Sequence, residues 1–221
     1  MSTWHSLTNE VLKKLRETQI GSSESVADDD YWQLIADYVN DAKQEVEDAW
    51  NWTDLRTTIE VTTTASTSAL SLTGTTDRSK VLSVWDSTNK VRVRPFTHRA
   101  YNRYTYTGTV NDAISTWYRR RGVDSSGYLR LELWPTPAGV YTYEVYCLVP
   151  QADFSDDSDT LNLAGVDRAI IFLALAMALE ERGDDGGSNA GAARARGEWY
   201  LSKAIERDMA NLVGELQVEV V

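Results

Sequence analysis

The chain has 221 residues, of which 42% are hydrophobic and 25% charged, and its formal net charge is −11 at pH 7. These values are typical of a globular protein with one or two domains. The single cysteine, Cys147, excludes an internal disulfide. The acidic balance argues against tight DNA binding by the whole chain, because such a chain gains little from phosphate neutralisation.

The charge is divided unevenly along the sequence. Residues 1–52 hold 4 basic and 11 acidic side chains, residues 53–150 hold 12 and 8, and residues 151–221 hold 6 and 14. Both ends are therefore acidic and the middle is mildly basic. Acidic walls of this kind would keep DNA from adhering to the protein.

Two helices are predicted in the first fifty residues. Apolar side chains recur at helical spacing over Leu7–Leu15, with Ser6 or Thr8 as the candidate cap. A longer helix is predicted to start at Asp28–Asp30 and to run to about Trp50, because carboxylates cap a helix amino terminus and complement its dipole. Its apolar residues form one stripe, so we expect it to pack on one side only.

The middle of the chain changes to a period of two and predicts a β module. Short β-branched or aromatic segments alternate there with turn residues, which favours a sandwich or a barrel. The predicted strands are Thr58–Thr64, Ala69–Leu72, Lys80–Trp85, Lys90–Arg94, Arg99–Tyr106, Ser115–Arg120, Tyr128–Trp134 and Tyr141–Val149.

The longest apolar run, Ala169–Leu179, follows an acidic segment that resembles a helix start. A membrane span needs about 20 apolar residues, so we expect this helix to be buried in protein. After a glycine-rich break at Gly183–Gly191, a last helix is predicted from about Ala192 to Leu212.

Helical segments on both sides of the strands predict an α+β fold. A bundle of about four helices is expected from residues 1–52 and 153–212, with an antiparallel β-sandwich or barrel, residues 53–152, inserted into it. The alternating end of the chain, residues 213–221, predicts an extended arm that could add to a neighbour's sheet edge. A frayed terminus is an equally open interpretation of that segment.

No catalytic motif stands out in the sequence, and the chain is not expected to be an enzyme or to bind a cofactor. His5 and His98 lack a second ligand at metal spacing. The acidic loop at residues 153–159 lacks the glycine and glutamate of a calcium-binding EF-hand, so a solvated loop that caps the next helix is the favoured interpretation. The weakest alternative is a cell-wall hydrolase that uses a carboxylate pair, drawn from Asp153, Asp156, Asp157 and Glu144.

Two features could serve binding. Arg119, Arg120 and Arg121 end a predicted strand and could meet an acidic partner or the DNA backbone, or form a solvated hairpin tip. The 8 tryptophans and 11 tyrosines are partly concentrated in the β module, and aromatic residues form both interfaces and sugar-stacking platforms. A carbohydrate-binding or receptor-binding module is therefore the main alternative function.

Three segments together resemble the head-to-tail adaptor proteins of short-tailed phages, also called connector or tail tubular protein A. They are Val39–Leu55 with the strand that follows, the strand exit Leu131–Pro137, and the helix entry at residues 156–161. The resemblance spans nearly the whole chain. It implies a virion structural protein that forms a ring, commonly of twelve subunits, between the portal and the tail nozzle.

The resemblance also implies how the modules would be used. DNA would pass through the central channel without specific binding, and the helical domain would build the ring. The β module would contact the nozzle or adjacent subunits, and the arm would reach the portal. Since the sequence begins without a basic-then-apolar signal segment, we expect assembly in the host cytoplasm and residence in the virion neck, with no membrane contact. The arm residues expected to bind a partner are Val213, Leu216, Val218 and Val220.

Overall fold

The computed structural model describes residues 2–97, 99, 111–183 and 187–218, with only the backbone described at 111–113 and 213–218. The chain forms two compact units. The helical unit comprises Met1–Leu55 and Gln151–Val221, and the β unit comprises Arg56–Pro150. The predicted α+β class, a helical bundle with an inserted barrel-like β module, is confirmed.

The first two helices form where the sequence predicts them. Helix α1 is Trp4–Leu15 and helix α2 is Asp30–Ala49. The cap of α1 is neither Ser6 nor Thr8. The Thr3 side chain accepts a hydrogen bond from the Ser6 amide at 3.2 Å, and the Ser6 hydroxyl accepts one from the Thr3 amide at 2.9 Å, which is a reciprocal capping box. Asp29 caps α2 by accepting hydrogen bonds from the amides of Tyr31 and Trp32, at 2.8 and 3.3 Å.

Helices α3, Asp167–Arg182, and α4, Ser188–Val218, differ from the prediction at their ends. The acidic loop does not cap α3, which starts at Asp167 after Val166 without a side-chain cap. Residues 213–218 continue α4, so the predicted extended arm is wrong over these residues; residues 219–221 lie outside the described part. Adding one hydrogen bond per residue favours elongation of an existing helix over a change to an extended chain.

Helix α3 lies at the centre of the helical unit. It packs against α1, α2 and α4. Contact with three helices explains why the longest apolar run of the sequence lies in α3. Side chains on several of its sides are consequently buried. They include Ala169, Ile170, Leu173, Ala174 and Ala176. The neighbouring helices α1 and α2 contribute further buried side chains to this unit, among them Leu7, Leu12, Ile35, Val39 and Val46.

The described part of the β unit contains nine strands: β1 Arg56–Thr62, β2 Ala69–Leu72, β3 Lys80–Asp86, β4 Val91–Pro95, β5 Asn111–Ala113, β6 Trp117–Val123, β7 Leu129–Trp134, β8 Thr136–Pro137 and β9 Thr142–Leu148.

Seven of these strands form a nearly closed mixed sheet in the order β1-β9-β3-β4-β6-β7-β2. Edge strands β1 and β2 contact each other, which shields the open edges. The β4–β6 pair is parallel, so the sheet is not antiparallel throughout; the stretch of sequence between these strands, residues 96–116, is long enough for a connection between parallel neighbours. A separate pair joins β5 and β8. The predicted strand at residues 99–106 lies, except for Arg99, outside the described residues.

Strand β9 shows the alternation that the sequence predicts. Tyr143, Val145 and Cys147 are fully buried in the barrel core, while Glu144 between them is exposed. Burial raises the pKa of the Cys147 thiol to about 11 and that of the Tyr143 hydroxyl to about 12. Both groups are therefore neutral in the folded barrel at physiological pH.

We expect alkaline pH to destabilise the β unit through Cys147. Because its folded pKa is raised, the folded state keeps a proton that the unfolded state loses, so the stabilisation is complete below the unfolded pKa near 9.0 and disappears as the pH rises to about 11. A shift of this size corresponds to about 2–3 kcal/mol. Urea unfolding of the wild type and of Cys147→Ala at pH 8, 9.5 and 11 measures it, and equal pH dependence in both proteins would contradict it.

Candidate interaction surface

The helical unit carries a groove between α1, α3 and α4, which we call the α1–α3–α4 groove. Its volume is about 560 Å³. Apolar side chains form its floor and cationic side chains its rim, which suits a partner that combines apolar and acidic groups. The floor residues are Leu15, Phe172, Leu175, Leu179, Ala192 and Ala193, and the rim residues are Lys14, Arg16, Arg182 and Arg196.

Local structure places the rim residues. Arg16 ends α1 in the left-handed conformation, with φ 62°, and its amide donates to the carbonyls of the last turn, a common way of ending a helix. Phe172, Leu179 and Arg182 are spaced by seven and three positions in α3, which places them on one side of that helix. Arg196 comes from α4, after the two small residues of the floor.

Cations and aromatic rings meet at the groove and beyond it. The Lys14 ammonium lies 4.8 Å and the Arg196 guanidinium 5.1 Å from the centre of the Phe172 ring, within the range of cation–π attraction. The Phe172 ring stacks on Tyr200 at 5.5 Å, and Tyr200 contacts Trp199 edge-on at 4.9 Å. Trp199 is 55% exposed, so the aromatic row ends in a large side chain that is open to a partner.

The groove concentrates the scarce positive charge of the helical unit. That unit holds 10 basic and 26 acidic residues, and four of the ten basic residues lie on the rim. Arg182 pairs with Glu17 at 2.6 Å and also donates to the Tyr31 hydroxyl. Burial works against its charge, but the hydrogen bonds to Glu17 and Tyr31 outweigh burial and raise the pKa of Arg182. Lys14, Arg16 and Arg196 have no ion pair with any carboxylate among the described residues.

Helix α2 presents the opposite charge. Asp37 and Asp41 are exposed one turn apart, beside the half-buried Leu34 and Tyr38, and we call these four residues the acidic α2 face. Neither aspartate forms an ion pair within the described part of the chain. Burial and the neighbouring Glu181 raise the pKa of Tyr38, so the hydroxyl remains neutral beside these carboxylates.

The three predicted arginines of β6 do not form one basic patch. Arg119 makes two contacts with Glu132 on β7, at 2.5 and 2.6 Å, and Arg121 reaches the same carboxylate at 3.4 Å. Arg120 instead donates to the Asp77 carbonyl at 2.5 Å. Glu132, which is only 6% exposed, therefore pairs with two of the three guanidinium groups within the sheet, and its single negative charge offsets one of their two positive charges. Arg120 and Arg121 are exposed and stay candidates for a partner contact.

The predicted arm residues are in a helix. Val213, Leu216 and Val218 belong to the last turns of α4, where the structure describes the backbone, and Val220 lies outside the described residues. Positions 213 and 216 are three apart and therefore on one side of the helix. Their role as partner-binding residues remains a prediction.

The carboxylates of the acidic loop accept hydrogen bonds from backbone amides. The Asp159 carboxylate accepts from the amides of Ser155 and Asp156 at 2.8 and 2.9 Å, and Asp157 accepts from the Val26 amide at 3.2 Å. Hydrogen bonds from Ser158 lower the pKa of Asp156. Across residues 2–97, 99, 111–183 and 187–218, no three His, Cys, Asp or Glu side chains are grouped as metal ligands. No described helix has the length and hydropathy to cross a bilayer.

Sequence reasoning missed the α1–α3–α4 groove. Lys14, Phe172 and Arg196 are widely separated in the chain, so nothing in their spacing predicts that they meet. The available signal was weak: Lys13, Lys14 and Arg16 form a basic cluster at the end of α1, in a segment that is otherwise acidic.

One comparison identifies a family. A family model described as SU10 adaptor protein matches residues 2–216. No curated protein matches the sequence. The family match covers both units and includes every residue of the groove and of the acidic α2 face.

Proposed function

The chain belongs to the SU10 adaptor protein family of phage adaptor structural proteins, and we propose that it forms a ring that joins the portal to the tail nozzle. The observation that carries the proposal is the family match over residues 2–216. Membership makes the protein a virion component that contacts other head or tail proteins. The ring, its position and its two neighbours are the proposed part.

The charges and surfaces of the helical unit support a ring around DNA. An excess of acidic over basic residues, 26 to 10, repels phosphates and favours free passage of DNA through a channel. The same unit has the cationic groove and the exposed Trp199, which are the kinds of surface that neighbouring subunits bury. We therefore assign ring formation to the helical unit, with twelve subunits as the expected number.

The other assignments follow the same proposal. The β unit contacts the nozzle or adjacent subunits, with Arg120 and Arg121 as candidate contacts, and residues 213–221 reach the portal. The role is structural and requires no catalysis. Assembly takes place in the host cytoplasm, and the ring becomes part of the virion neck.

Electron microscopy of the protein mixed with the portal of the same phage tests this function, alongside light scattering of the free protein. We expect a ring stacked on the portal. A protein that stays monomeric and ignores the portal would refute the proposed function, and binding on a glycan array would then favour the carbohydrate-binding alternative.

Removal of residues 213–221 tests the portal contact separately. We expect the truncated protein to keep its fold, because the buried apolar residues described in α4, Ala190, Ala193 and Ala204, all precede the deletion, and to lose portal binding. Circular dichroism checks the fold, and co-sedimentation with the portal checks binding. Unchanged portal binding would show that another surface makes the contact.

A further inference from the structure

We infer that the α1–α3–α4 groove of one subunit receives the acidic α2 face of a second copy of this chain. The inference rests on the proposed ring and names the surfaces that meet in it. Two different surfaces of one chain that fit each other produce a head-to-tail contact, which generates a closed ring when the rotation between subunits closes.

The groove calls for a partner that is both acidic and apolar. Lys14, Arg16 and Arg196 have no ion pair with the described carboxylates, and the floor beneath them is formed by Phe172 and leucines. Nucleic acid would satisfy the cations but leave the apolar floor without a partner. The remaining charge of the helical unit, mostly acidic, would also repel its phosphates.

The acidic α2 face supplies both properties. Asp37 and Asp41 are exposed and have no ion pair within the described residues, and Leu34 and Tyr38 beside them are half-buried. The four residues occupy positions i, i+3, i+4 and i+7, which form one stripe on a helix. A groove bordered by three helices accepts such a stripe in the manner of helix-in-groove recognition.

The strongly acidic character of the unit makes this pairing selective. An acidic surface that approaches another part of the unit meets mostly repulsion, whereas the groove offers Lys14, Arg16 and Arg196, the three rim cations without an ion pair among the described carboxylates. Complementary charges at an interface raise the association rate and disfavour wrong orientations. The contact between the groove and the acidic α2 face therefore fixes the head-to-tail orientation of neighbouring subunits.

Paired charge reversals test the inference directly. The groove variant carries Lys14→Glu and Arg196→Glu, and the face variant carries Asp37→Lys and Asp41→Lys. Each variant alone places like charges at every contact, so we expect its self-association to weaken by about 100-fold. An equimolar mixture restores opposite charges at both kinds of contact, in an alternating ring, and should regain wild-type association.

Matched controls keep the net charge equal. Lys13→Glu with Lys203→Glu changes the charge as the groove variant does, and Glu10→Lys with Glu206→Lys changes it as the face variant does. All four control residues lie in exposed surface pairs outside the groove and the face. Thermal unfolding should show that every variant folds, and the controls should associate like the wild type.

Two readouts separate this inference from the proposed function. Sedimentation of the free proteins at low salt reports subunit contacts, and electron microscopy with the portal reports the ring. If the wild type forms rings on the portal but the mixture does not recover, the inference is wrong and the function stands. If the mixture recovers self-association in solution while no variant or wild type binds the portal, the inference stands and the portal role fails. Wild-type protein that associates in neither assay overturns both.

A DNA-binding role for the groove gives a different pattern. The groove variant would lose affinity for a short DNA duplex in a gel-shift assay, and neither charge-reversed variant would change self-association. That result would also overturn the inference.

Discussion

Replacing Lys43 with methionine is expected to destabilise the helical unit by about 3–5 kcal/mol, the usual loss when one partner of a buried ion pair is removed. The Lys43 ammonium and the Glu47 carboxylate lie 3.6 Å apart on α2, and both side chains are fully buried. Urea unfolding followed by tryptophan fluorescence measures the loss. A loss in the free energy of unfolding below about 1 kcal/mol would contradict the buried ion pair, because it would mean that water or a local rearrangement replaces the lost contacts.

Lys43 matters because it also holds the chain that follows the β unit. Its ammonium donates to the Gln151 carbonyl at 3.1 Å and to the Ala152 carbonyl at 2.7 Å, and it lies 4.8 Å from the centre of the Phe154 ring. One turn earlier, Asn40 exchanges two hydrogen bonds with the Phe154 backbone, at 2.9 and 3.1 Å. Methionine preserves the apolar stem but removes every donor.

Two variants separate the ion pair from the carbonyl contacts. Lys43→Met with Glu47→Leu should recover part of the loss, because apolar pairs often replace buried ion pairs at little cost. Recovery should remain incomplete, since two carbonyls still lack their donor, at about 1–3 kcal/mol for a buried polar group without a partner. Gln44→Met is the matched control: it removes an exposed hydrogen bond to Asp153, 2.8 Å long, and should cost far less.

The case of Lys43 shows where sequence reasoning ends on an element that it predicted well. The observed bounds of α2, Asp30–Ala49, lie close to the predicted ones because a capping aspartate and an apolar stripe both mark the helix. Lys43 and Glu47 border that stripe, and a lysine is almost never fully buried unless it is paired. Its partners, the carbonyls of residues 151 and 152, are more than a hundred positions away. No local sequence pattern therefore predicts that the Lys43 side chain is buried.

Strand faces were predictable for a similar local reason. The alternation in β9 separates buried Tyr143 from exposed Glu144 because one face of the strand lines the barrel core. The parallel β4–β6 pair was not predictable, since pairing across residues 96–116 depends on the whole sheet. The groove belongs to this second kind of feature. Its rim residue Lys14 belongs to α1 and its floor residue Phe172 to α3, two helices that lie far apart in the chain and meet only because they pack together in the folded unit.

That packing leaves one position in α4 with no room for a side chain. A Cβ atom added to Gly197 would lie 2.9 Å from both Cγ and Cδ2 of Leu173 and 3.1 Å from the Leu173 amide nitrogen. Contacts of this length force a shift, and the amide nitrogen belongs to the backbone of α3, which cannot rotate away. Gly197 therefore sets the distance between α3 and α4, and through it the width of the groove.

Gly197→Leu should accordingly lower the free energy of unfolding by about 2–3 kcal/mol, near the upper end of the usual cost of overpacking. Gly191→Leu, in the same helix, is the matched control. A Cβ there meets nothing within 4 Å, and replacing glycine with a good helix former should stabilise the helix by up to about 1 kcal/mol. Urea unfolding measures the free energy of unfolding of both variants. The two substitutions add the same atoms and differ in the space around them, so the difference between the variants reports the packing at position 197. Equal effects at positions 191 and 197 would mean that α3 and α4 are not in close contact at Leu173.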